Sequence, residues 1–156
     1  MTTTMPTTLF VLHLLAAIVW VGGMAFAILV LRPSLAVLEP PQRLLLHAHV
    51  FRRFFMIIWH AMPIILVTGW ALLFGWYGGF RDAGVHVHVM NLTGVIMAVV
   101  FLVIWFGPYA AFRAAMDRGD GPAAAAAANR VRLLITLNLV LGLITSIVAG
   151  FGRWGL

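Results

Sequence analysis

The sequence predicts an all-α integral membrane protein: an antiparallel four-helix bundle, with a short interfacial amphipathic helix between helices one and two. Two observations carry this expectation. Of 156 residues, 63% are hydrophobic and 9% are charged, with a mean hydropathy of +1.07, and a soluble domain of this length has no core large enough to bury that much apolar surface. Four apolar stretches, at about 8–31, 54–77, 85–112 and 132–151, contain no Asp or Glu. Each supplies the roughly 20 helical residues that cross a hydrocarbon layer about 30 Å thick.

The first stretch follows MTTTMPTT, which lacks the basic region and small-residue cleavage site of a removable signal peptide. It therefore reads as a retained span. After it come Pro40 and Pro41, which suit the first turn of a helix, and the segment from Gln42 is amphipathic enough to rest on lipid headgroups. The second span holds Pro63, where a local kink is expected. A short polar turn, RDAG, leads to the third span, which opens on HVHVMN. The third connection, MDRGDGPAAAAAANR, pairs a Gly/Pro turn with an alanine run of high helix propensity. The fourth helix is expected to begin there, outside the bilayer. Short connections make neighbouring helices antiparallel, and residues 1–156 read as a single transmembrane domain.

All ten basic residues are arginine, and the net charge is +6. Arg32, Arg43, Arg52, Arg53, Arg113, Arg118, Arg130 and Arg132 fall at one face, Arg81 and Arg153 at the other. Basic residues beside span ends stay on the cytoplasmic side. This places both termini outside, in the periplasm if the membrane is a bacterial inner membrane. Charge gathered at span ends points to lipid headgroups rather than nucleic acid. Cysteine is absent, so disulfides, iron–sulfur clusters and thiolate metal sites are excluded. No Walker loop, HExxH or Ser/His/Asp order supports hydrolytic or nucleotide chemistry.

Histidines within spans are costly and tend to be functional. At about 1.5 Å per residue, His13 lies roughly 9 Å and His88 roughly 5 Å inside the outer face. His60 lies toward the opposite end, near His47 and His49. Residues two apart on a regular helix point about 200° away from each other, so only one of His86 and His88 faces the bundle if the helix is regular there, whereas an extended start would let both do so. His13 shares a stripe with Ala16, Ala17, Trp20 and Met24, and the fourth helix offers Asn138, Gly142, Thr145 and Ala149. Small residues of this kind bring helices close together. Most of the six tryptophans, Trp154 among them, suit an interfacial belt.

Two chemistries fit intramembrane imidazoles without cysteine. The leading one is haem b, ligated by His13 and either His86 or His88, with Trp20 and Asn138 in its walls and Arg81 and Arg153 as propionate partners. Such a cytochrome would exchange electrons with quinone or a periplasmic redox protein. The alternative is copper bound by the same histidines with Met24 or Met90. A third reading is a cofactor-free assembly subunit whose histidines cap and snorkel. His60, with His47 or His49, offers a further haem position on the other side, and homo-oligomerisation stays open.

The runs LHLLAAIVWVGGMAFAILVLRP from Leu12, FRRFF from Phe51, HVHVMN from His86, WFGPY from Trp105 and NLVLGLITSIVAG from Asn138 resemble the membrane domain of the copper resistance protein D (CopD) superfamily. The resemblance implies a four-helix membrane protein with a link to copper. It extends to the related HemJ-type protoporphyrinogen oxidases, which carry haem b and a first-helix histidine matched by His13. That branch also has a lysine early in the third helix. No lysine occurs in this sequence, and the position falls near Met90 or Asn91, which argues against protoporphyrinogen oxidase activity.

Overall fold

The computed structural model describes residues 4–153, with side chains from 5 to 152; Trp154 and the Arg153 side chain lie outside the described residues. The chain forms α1 (Thr4–Phe26), a π-helical turn (Ala27–Leu31), a short α2 (Arg32–Ser34) and a 3-10 turn (Leu35–Val37). Then follow α3 (Pro40–Gly75), α4 (Val85–Ile104), a second π-helical turn (Trp105–Tyr109), α5 (Ala110–Asp117) and α6 (Gly121–Arg153). These join into four rods, Met5–Val37, Pro40–Gly75, Val85–Asp117 and Gly121–Gly152, each long and apolar enough to cross a membrane. At about 1.5 Å per residue, rods of this size reach roughly 50 Å and overshoot the hydrocarbon layer. Their arginine-bearing ends therefore project into the headgroups.

Proline explains where the rods depart from α geometry. Pro33 follows the first π turn and Pro108 lies within the second. A proline ring crowds the carbonyl four residues back and offers no N–H, and a wider turn absorbs both defects. Pro63 is accommodated inside α3 without such a turn.

The amphipathic segment is present, but it is the first part of α3 rather than a separate interfacial helix. Pro40 and Pro41 start it, Glu39 and Gln42 form a reciprocal capping box, and no glycine or proline interrupts the chain between Gln42 and Phe54. A helix once nucleated propagates at low cost, so it runs on into the span. Arg43 ties down the preceding loop by donating to the Leu38 and Ala36 carbonyls. The fourth rod begins at Gly121, as the alanine run suggests, after Gly119 reverses the chain at φ +69° and Asp120 Oδ1 caps α6 by accepting from the Ala123 N–H.

Cross-helix contacts show antiparallel packing. α1 packs chiefly on α3 and α4 on α6. On α1 and α3, His13 meets Ile65 and Thr68 while Gly23 faces Phe54. On α4 and α6, Thr145 donates to Thr93 and Asn138 to the Met97 carbonyl. Large apolar side chains such as Leu29, Val67 and Phe74 cover the outside of the rods, an inversion that only lipid makes favourable.

The interior divides into two halves. Toward the arginine-rich end it is aromatic: Phe55 and Tyr109 sit 4.7 Å apart, Phe51 and Phe112 5.4 Å, and Trp59 and Trp105 5.5 Å. Toward the other end it is made of small and polar groups, among them Ala16, Thr68, Gly69, Thr93, Gly142 and Thr145. Gly142 is the tightest of these contacts, because a Cβ there would lie 2.8 Å from Val21 and 3.1 Å from Met97. Gly142→Leu is therefore expected to destabilise the bundle by roughly 1–3 kcal/mol, read as a lower thermal unfolding midpoint in detergent. Gly94→Leu, where a Cβ would meet nothing within 4 Å, should leave the midpoint almost unchanged.

Candidate functional site

His13 sits on α1 at the small-residue end, and its imidazole crosses to α3. Nδ1 lies 3.0 Å from the Ile65 carbonyl and 3.0 Å from Thr68 Oγ1. A carbonyl can only accept. The Thr68 hydroxyl spends its hydrogen on the Ile64 carbonyl at 2.5 Å, so it also presents a lone pair. Both partners are acceptors, and Nδ1 must therefore carry the proton. The lone pair is left on Nε2, the arrangement in which a metal-binding imidazole is held by an outer hydrogen bond. Gly69 makes room for the ring, since a Cβ there would stand 3.1 Å from His13 Cε1.

The other histidines behave differently. His47, His49 and His60 each donate Nδ1–H to the carbonyl four residues earlier in α3, at 2.8, 2.9 and 2.8 Å. Such bonds satisfy the ring locally and tie nothing to another helix. His60 is exposed. The two histidines of HVHVMN part as helical geometry requires. His86 is half-buried at the start of α4, in a cradle of two glycines: a Cβ on Gly84 would lie 2.8 Å from its Cε1, and one on Gly152 of α6 would overlap its ring. His88 is exposed and stacks on Phe80 with ring centroids 5.8 Å apart. The inward member is His86.

Trp20 is buried on the same stripe as His13 and meets Phe101 edge-on at 6.5 Å. It closes the polar half from the aromatic half. Asn138 is buried; its Nδ2 donates to the Met97 carbonyl at 3.0 Å, while Oδ1 has no hydrogen-bond partner. Met24, Met62 and Met97 are buried on α1, α3 and α4. Met90 is half-buried, and Arg81 is exposed in the turn before α4. Among the described residues no three His, Asp or Glu side chains gather into a cluster; His13, His86 and His88 have three separate sets of neighbours.

Sequence reasoning did not single out Thr68 and Gly69, although they hold His13. The signal was there: in the run LVTGW they are an adjacent polar and small pair in the half of the second span away from the arginines, at the depth of His13 on an antiparallel neighbour.

Compared with known proteins, the chain matches the family model for copper resistance protein D (CopD) over residues 48–151, from the first turns of α3 nearly to the end of α6. His86, His88 and Asn138 fall within that match, and His13 precedes it. No curated protein and no solved structure matches the chain significantly. The hydrogen bonding of His13 makes a spectroscopic prediction. In ¹⁵N-histidine spectra of the full chain, His13 is expected as the Nδ1–H tautomer. Thr68→Val keeps that tautomer through the Ile65 carbonyl, and Gly69→Leu, by displacing the ring, loses it. A dominant Nε2–H form in the unmodified chain would contradict the arrangement.

Proposed function

Since the chain belongs to the copper resistance protein D family, we propose that it is a copper-handling membrane protein in which His13 offers Nε2 to the metal near the outer end of the bundle. The observation that carries this reading is the bond from His13 Nδ1 to the Ile65 carbonyl, which orients the ring and leaves one nitrogen free for a cation. Imidazole nitrogen and thioether sulfur both suit Cu(I). The buried Met24, Met62 and Met97 supply thioethers deeper in the bundle, and the four apolar stretches hold no carboxylate to bind a harder ion. A site built on one anchored imidazole suits transfer of copper better than storage, because few ligands allow rapid release. Asn138 Oδ1, buried and unpaired, adds a polar atom along the same interior. The eight-to-two arginine bias orients the protein with His13 toward the periplasmic side of a bacterial inner membrane and both termini outside.

A second reading is haem b, as in the HemJ-type proteins the sequence resembles, with electron exchange to quinone or a periplasmic redox protein. Its specific support is His86, turned inward between Gly84 and Gly152, as a candidate second imidazole from a different helix than His13, with Arg81 as a propionate partner. The lack of lysine speaks against protoporphyrinogen oxidation in this reading as well.

Metal analysis and an absorption spectrum of the purified full chain, prepared with both copper and haem supplied, separate the readings. The expected outcome is bound copper without a Soret band, with copper falling at least about tenfold in His13→Ala, the scale of losing an orienting or ligating imidazole. A Soret band without copper replaces the proposal with the haem reading. Neither signal, in a protein that retains its helical circular dichroism, leaves the cofactor-free assembly role.

A further inference from the structure

At the arginine-rich end, a cavity of about 270 Å³ opens between the first π turn, the first half of α3 and α6. Three cations from three separate elements line it: Arg32 of α2, Arg53 of α3 and Arg132 of α6. His47 joins them, with Nδ1 already committed to the Arg43 carbonyl. The remaining wall is apolar, with Phe26, Leu31, Phe54 and Ile57 among its members. None of the four carboxylates of the chain lines the cavity. Three arginines from three elements thus border an apolar cleft that is lined by no carboxylate.

We propose that this cavity binds an anionic phospholipid of the surrounding leaflet, its phosphate held by Arg32, Arg53 and Arg132 and the upper part of one acyl chain lying against Phe26, Leu31, Phe54 and Ile57. Charge complementarity selects the headgroup: guanidinium groups pair with phosphate through parallel N–H donors, and basic pockets between transmembrane helices are sites for anionic lipid headgroups. Amphiphilicity selects the source. Phe26, which is 57% exposed, and Ile57, which is 51% exposed, make the apolar wall continuous with the lipid-facing surface of the rods, so the cleft opens to an acyl chain in the leaflet as well as to a headgroup. The volume lies just below the roughly 300–1,000 Å³ of pockets that enclose a whole small molecule, which fits a ligand whose remainder extends into the bilayer. Position agrees as well, since the arginines lie where the rods leave the hydrocarbon layer. The site is separate from the His13 end and stands whether the metal reading holds or fails.

The test is native mass spectrometry of the full chain in neutral detergent, titrated with phosphatidylglycerol or phosphatidylcholine. The expected result is one phosphatidylglycerol bound at least about tenfold more tightly than phosphatidylcholine, given roughly 1 kcal/mol for each basic residue at an anionic headgroup. The preference is lost in Arg53→Gln/Arg132→Gln. It survives in Arg118→Gln/Arg130→Gln, which removes two charges from the same end outside the cavity. Arg53→Lys/Arg132→Lys keeps the charge without the forked donors and is expected to retain part of the preference; it serves where the glutamine pair does not fold. Equal binding of the two lipids overturns the proposal, as does equal loss in the Arg118/Arg130 pair. Displacement of the lipid by millimolar inorganic phosphate also overturns it, in favour of a soluble-anion site.

Discussion

Inside a hydrocarbon layer a polar atom has no water to bond, so one without a partner in the protein carries a large cost. Most hydroxyls here find one on their own helix: Thr93, Thr136 and Ser146 each donate to the carbonyl four residues earlier. His47, His49 and His60 use the same local solution. His13 does not. Its Nδ1–H reaches the Ile65 carbonyl and Thr68 of the neighbouring helix, and this cross-helix contact sets the tautomer and the ring orientation and joins the Gly23–Phe54 contact in holding α1 on α3. What the site can do chemically depends on it.

The bond is possible because the bundle is not uniform along its length. Near the arginine-rich end, Phe51, Phe55, Phe101, Trp105, Tyr109 and Phe112 interlock in edge-to-face and tilted pairs, and aromatic pairs of this kind gain beyond the area they bury. That half is filled and stiff, and Arg113 adds a guanidinium over the Trp105 and Tyr109 rings at 5.5 and 4.9 Å. Near the other end, Gly69, Gly84, Gly142 and Gly152 let helices and imidazoles approach closely. Polar chemistry is thereby confined to one half, with Trp20 at the boundary, while the apolar cleft rimmed by arginine belongs to the headgroup region of the other. On the two proposals made above, the ends serve different partners, a metal ion at one and an anionic lipid at the other.

Much of this was legible in the sequence for simple reasons. Span number follows from apolar runs without carboxylates, because the cost of burying a charge is large and local. The parting of His86 from His88 follows from the helical period alone. The continuity of the amphipathic segment with the second span was less visible: facial polarity says where a segment rests, but whether it bends away at Phe54 depends on a breaker, and none is present. Thr68 and Gly69 escaped notice for a different reason. Each is unremarkable on its own helix, and only the rotation of α3 toward α1 makes the pair a cradle for an imidazole.

Composition and periodicity by themselves determined an all-helical membrane chain, its four rods, its charge asymmetry and which residues were candidates for chemistry, since all of these depend on properties summed along one segment at a time. Tertiary structure alone decided that His13 bonds across helices while three other histidines bond locally, that His86 turns inward between two glycines, and that Arg32, Arg53 and Arg132 meet at one cleft. These depend on the relative rotation and depth of separate helices, which packing between their side chains sets and which no single helix encodes.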